Sequence, residues 1–121
     1  MRDLWSEWLA RDLTVVSAPL IYAEVTSVLR GSAHRGAITE ADAREHLSEV
    51  LSWRVVVWNE DQTLQRTAYD FAVRFNQPKA YDAQYLAVAS LVGCDLWTLD
   101  KRLYNSVKQE LPWVRYAGDP A

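Results

Sequence analysis

Apolar positions along this chain follow two alternating patterns, and the alternation implies a fold class. Compact runs stand at Leu13–Ser17 (LTVVS), Arg54–Trp58 (RVVVW), Asp95–Thr98 (DLWT) and Trp113–Tyr116 (WVRY). The first two are rich in β-branched residues, the mark of strands covered on both faces. Between these runs the apolar residues return every three or four positions, as on one face of a helix. Leu4, Trp5, Trp8 and Leu9 repeat behind a cap at Asp3, and Ile21, Val25 and Val28 repeat after Ala18-Pro19. That second helix opens on proline, where the missing N–H is harmless, and frays near Gly31 or Gly36. Ala43, Leu47, Val50 and Leu51 follow Thr39, with Asp42 completing a capping-box variant. Leu64, Ala68, Phe71, Ala72 and Phe75 follow a cap at Asn59 with Gln62, and a short basic helix is expected over 101–108. Strands separated by helices predict an α/β fold of three layers, α/β/α, with a mostly parallel sheet. Ligands in such folds gather at the carboxyl ends of the strands.

The most apolar stretch, Ala80–Cys94, carries one formal charge, Asp82. It passes through Gly93 into the DLWT strand, and Asp100 follows directly. Glu24 is the third acid of this kind, alone within PLIYAEVTSVL. Each of the three has a plain alternative: Asp82 and Asp100 fit ordinary helix caps, each stabilising by roughly 1 kcal/mol, and Glu24 fits an ion pair with Arg30. Together they suggest a shared site. Neighbouring carboxylates in a low dielectric repel and one pKa rises, and a divalent cation removes the conflict. Oxygen ligands without histidine or thiolate select Mg²⁺ or Mn²⁺, ions that serve phosphodiester hydrolysis.

Composition narrows the field further. At 121 residues the chain is one domain spanning 1–121, half hydrophobic and a quarter charged. A net charge of −3 and a pI near 5.3 argue against a broad nucleic-acid-coating surface, though not against a basic rim at a site. Lys79, Lys101 and Arg102 would form that rim. One cysteine, Cys94, excludes an internal disulfide and suits a reducing compartment. The longest apolar run is far short of the ~20 residues of a membrane span, and the start is unlike a signal peptide, so a cytoplasmic protein is expected. His34 and His46 sit in polar surroundings and read as surface residues. No glycine-rich phosphate loop and no serine–histidine pattern is present, which sets aside nucleotide-binding and serine-hydrolase readings.

Three segments, SAPLIYAEVTSVLR, AYDAQYLAVA and LWTLDKRLYN, resemble in order and spacing those of the PIN domain family, and within it the VapC-like ribonuclease toxins of bacterial toxin–antitoxin pairs. The likeness covers essentially the whole chain. It implies a three-layer PIN-like fold, with Glu24, Asp82 and Asp100 as catalytic, metal-binding acids and Thr98 shaping the site. It also implies Mg²⁺ or Mn²⁺ as cofactor, an RNA substrate, an antitoxin protein as partner, and a homodimer. One departure stands out. Family members begin with a strand V-x-D-x-S, whose aspartate is the first ligand and which lies mid-sheet between strands resembling Leu13–Ser17 and Asp95–Thr98. Neither Asp3 nor Asp12 takes its place. Three resolutions are open: a natural start upstream of Met1, a strand supplied by another chain, or direct pairing of the flanking strands in a remodelled four-stranded sheet. The competing functional reading is a catalytically silent PIN-fold module that binds an antitoxin or a second copy of itself through its tryptophans, Trp5, Trp8, Trp53 or Trp58.

Overall fold

The computed structural model describes residues 4–59 and 61–118, the side chain of Trp5 excepted. The expected cap at Asp3 and the packing of Trp5 therefore lie outside the described residues. In chain order the elements are α1 (Leu4–Ala10), β1 (Val15–Ser17), α2 (Ile21–His34), α3 (Glu40–Ser52), β2 (Val55–Val57), α4 (Gln62–Arg74), α5 (Tyr81–Val92), β3 (Leu96–Thr98), α6 (Lys101–Val107) and β4 (Val114–Tyr116). This is the α/β alternation the apolar pattern predicts.

Local chemistry accounts for most of the boundaries. Thr39 caps α3, its side chain accepting from the Asp42 N–H at 3.0 Å. Gly93 ends α5 in the left-handed conformation (φ 80°, ψ 40°), which costs glycine no Cβ clash. Helix α2 runs through Gly31 and stops at Arg35, with Gly36 at φ 76° just beyond. Two expectations need correction. Helix α4 is capped by Asp61, which accepts from the Leu64 N–H at 2.7 Å, and not by Asn59. Both residue types cap well, so the two-residue offset is decided by where the chain leaves β2. On α2, Val28 does not face the core and is 65% exposed; the helix packs mainly on α3 and has no buried residue.

Strand pairing is parallel throughout, but in two separate ladders. β1 pairs with β2 in the register Val15–Val55 to Ser17–Val57, and β3 pairs with β4 from Leu96–Val114 to Thr98–Tyr116. Each ladder continues one bond past its strands: Trp58 N–H donates to Ser17 O at 2.9 Å, and Ala117 N–H to Thr98 O at 2.8 Å. β1 and β3 are not hydrogen-bonded to one another. The remodelled four-stranded sheet, one of the three resolutions above, is therefore not formed.

What joins the halves is helix packing. Leu64, Ala68 and Ala72 of α4 and Ala83, Ala87 and Val88 of α5 form one buried cluster with Ala18, against which Val16 and Trp58 pack. Leu86, Leu103, Val107, Leu111 and Val114 form the second, beside Leu96 and Trp113. Small alanines on both helices let α4 and α5 approach closely. Phe71 packs against both clusters, with its ring 6.2 Å from that of Trp113 in an edge-on contact. Helix α5 touches both β1 and β3.

Candidate active site

Each of the three acids sits at the start of a helix. Glu24 lies in the first turn of α2, after β1; Asp82 lies in the first turn of α5; Asp100 is the N-cap of α6, directly after β3. Free backbone N–H groups and the helix dipole favour negative charge at all three positions. The strand ends deliver two of them, as the parallel topology predicts.

The cap alternatives divide on inspection. Asp100 is a true cap, its Oδ1 accepting from the Leu103 N–H at 3.1 Å. Its own N–H donates to Thr98 Oγ1 at 3.0 Å, so Thr98 fixes the strand-to-helix turn that presents the carboxylate. Asp82 is not a cap. Ala80 holds that position and no side chain caps α5. Nor does Glu24 pair with Arg30, which instead meets Glu40 at 2.9 Å. Glu24 Oε2 accepts a hydrogen bond of 2.8 Å from the Tyr85 hydroxyl, across 61 residues of chain.

Electrostatics tie these groups together. Burial, and then the nearby charge of Asp100, push the Asp82 carboxyl above its ordinary value. Burial is also the leading cause that raises the Tyr85 phenol, followed by its hydrogen bond to Glu24 and the charges of Glu24 and Asp82. Among the described residues, no ion pair neutralises Asp82 or Asp100. The low-dielectric argument from the sequence expected buried carboxylates, and the structure corrects it: Asp82 and Asp100 are exposed and Glu24 is half-buried.

Among the described residues, no three His, Cys, Asp or Glu side chains are gathered closely enough to enclose a metal ion. Asp82 and Asp100 are neighbouring carboxylates, and Glu24 reaches α5 through Tyr85. An unneutralised carboxylate pair fits Mg²⁺ or Mn²⁺, since Mg²⁺ is commonly held by one or two carboxylates while keeping several waters. Lys79, three residues before Asp82, and Lys101 and Arg102, directly after Asp100, are exposed beside the acids in the chain. Lys79, Ala80, Tyr81 and Gln84 line an open depression at the start of α5. His34 and His46 are exposed, as expected. No helix among the described residues is long and apolar enough to cross a membrane.

Sequence reasoning missed Tyr85. Its one available signal was spacing, three residues after Asp82 and hence on the same face of α5.

Comparison with known proteins agrees with this architecture. The model of the PIN domain family matches residues 2–108. Curated relatives include a VapC ribonuclease of Mycobacterium bovis and the ribonuclease VapC9 of Mycobacterium tuberculosis. Each is 31% identical over 93 residues, which is 77% of this chain and 70% of the relative.

Proposed function

Because the chain belongs to the PIN domain family, we propose that it is a metal-dependent endoribonuclease of the VapC type, hydrolysing RNA phosphodiesters at the edge formed by α2, α5 and α6. The observation that carries this reading is the pair Asp82 and Asp100, without an ion-pair partner among the described residues, in which burial and then the charge of Asp100 raise the Asp82 carboxyl and no cap explains Asp82. Groups perturbed in this way at helix starts and strand ends are candidates for chemistry. Asp82 and Asp100 would hold the cation, while Glu24, the third acid the resemblance names, is held by Tyr85 through Oε2 and does not close a three-acid group with them among the described residues. Bound there, Mg²⁺ or Mn²⁺ would supply Lewis-acid stabilisation of phosphate charge and a more acidic water. Lys79, Lys101 and Arg102 attract and orient the RNA backbone. The partner implied by the VapC resemblance is an antitoxin protein, and a homodimer is the expected assembly.

A second reading has its own support. The described residues do not enclose a metal with three acids, and the α2–α3 pair exposes Val28 and Leu51 at 65% and 55%. A silent module that binds an antitoxin or a second copy would use such surfaces.

The deciding experiment is Mn²⁺-dependent cleavage of a mixed structured RNA by the wild type beside the Asp82→Asn/Asp100→Asn double variant. Cleavage by the wild type alone supports the nuclease. Silence from a folded, Mn²⁺-saturated wild type rules for the binding module.

A further inference from the structure

We propose that Tyr81 and Gln84 form a subsite for one nucleobase of a single-stranded RNA, the Tyr81 ring stacking on the base and the Gln84 amide bonding its edge. The proposal rests on the reading of the chain as an RNA-cleaving enzyme and adds where that substrate is gripped.

Helix α5 carries two adjacent stripes. Asp82 and Tyr85 stand three residues apart on one, and Tyr81 and Gln84 stand three apart on the next. The first holds the acid and the tyrosine described above. The second opens onto a depression of about 360 Å³ lined by Lys79, Ala80, Tyr81 and Gln84, a volume in the range of small-ligand clefts. Tyr81 is 59% exposed there, although it opens the most apolar helix of the chain.

Gln84 is held in place. Its Nε2 donates to Gln65 Oε1 at 2.8 Å, and Gln65 Nε2 donates back to Gln84 Oε1 at 3.2 Å. A side-chain amide has two N–H groups and two oxygen lone pairs, so this exchange leaves Gln84 one donor and one acceptor. A side chain with three torsions is thereby ordered before a ligand arrives, which lowers the cost of binding. Gln65 lines a second depression, which carries Arg66, so each glutamine of the pair has a cation beside it. Asp61, in that second depression, is occupied as the cap of α4.

An exposed ring, an ordered amide and flanking cations are the parts that grip single-stranded RNA. Bases stack on aromatic faces and are hydrogen-bonded at their edges, while lysine and arginine follow the phosphates. A duplex does not fit the same parts, since its stacked bases present no free face to Tyr81. Asp82 directly follows Tyr81, so the gripped base belongs to a nucleotide beside the phosphate that the acids meet.

The test is fluorescence anisotropy with short labelled homopolymers of A, C and U. The full chain carries Asp82→Asn/Asp100→Asn as background, so that neither cleavage nor carboxylate repulsion intervenes. Tyr81→Ala should weaken binding about tenfold, and Tyr81→Phe, which keeps the ring, should bind as the background does. Gln84→Ala should shrink the differences among the homopolymers more than it lowers their average affinity. Tyr69→Ala is the control, because Tyr69 is 67% exposed on α4 and lines neither depression; it should bind as the background does.

Equal binding by Tyr81→Ala and the background overturns the subsite and leaves the nuclease reading standing. A loss in Tyr69→Ala as large as that in Tyr81→Ala does the same. Homopolymers that bind alike in the background, or preferences that survive Gln84→Ala, overturn the role of Gln84. If the background binds no RNA, the subsite falls, and if the wild type also fails to cleave, the nuclease reading falls with it. Should Tyr81→Ala fail to fold by circular dichroism, Tyr81→Leu replaces it, keeping apolar bulk without an aromatic face, and the same loss is expected.

Discussion

Asp82 carries its charge against two opposing effects, partial burial and the neighbouring Asp100. The folded chain therefore binds the Asp82 proton more tightly than the unfolded chain does. That contribution to stability is fully present below the ordinary value of 3.8 and is lost as the pH rises through the raised folded value. At neutral pH the ionised group disfavours folding, and under the proposed function a bound cation would relieve what the proton relieved in acid. Mn²⁺ at ten times its dissociation constant should add about 1.4 kcal/mol, a rise of roughly 5–6 °C in Tm. The rise should shrink as the pH falls toward the carboxylate range and disappear in Asp82→Asn, whose metal-free form melts no lower than the wild type. Thermal melts with and without Mn²⁺ check all three; an Asp82→Asn protein that melts far lower would make the carboxylate structural. Asp100 caps α6, and the proposed function gives it a second role that substitution separates from the first. Asp100→Asn keeps the cap and Asp100→Ala loses it, so Ala should be about 1 kcal/mol less stable by urea denaturation while both lose RNA cleavage. Glu24 and Asp82 stood out in the sequence as lone charges among apolar residues, and Asp100 as the acid that ends an apolar strand. Tyr85 did not, since a tyrosine within an apolar repeat reads as core, and its ring does pack there. What its hydroxyl meets depends on a glutamate 61 residues away.

At the scale of elements, two glycines should respond in opposite directions to the same change. Gly93 has φ 80° with open space around a prospective Cβ, so Gly93→Ala costs only backbone strain, about 1 kcal/mol. Gly31 lies inside α2, where a Cβ would meet only the far end of the Arg35 side chain at 3.1 Å. Gly31→Ala should stabilise by roughly 0.5–1 kcal/mol, and parallel denaturation curves would reveal the opposite signs. Helix positions were readable because their periodicity and caps are local properties of the chain. The failures came where local signals tie. Asn59 and Asp61 are both good caps, and the apolar stripe of α2 does not say how much core exists for it to face.

For the whole molecule, parallel pairing was readable from buried-type strands joined through helices, but the division into two ladders was not. Which strand edges meet is a non-local property, set by how α4 and α5 gather the strands. The three-residue ladders, each of only two strands, should protect their amides poorly. In hydrogen exchange the buried α4 and α5 amides should outlast those of β1 to β4, and equal protection of strands and helices would contradict this. Glu24 follows β1 and Asp100 follows β3, so the two acids ride on plates that share no hydrogen bond. The spacing between them is therefore governed by the helices beneath and by the Tyr85–Glu24 contact. A change in that spacing breaks no rung of either ladder, because none joins the two.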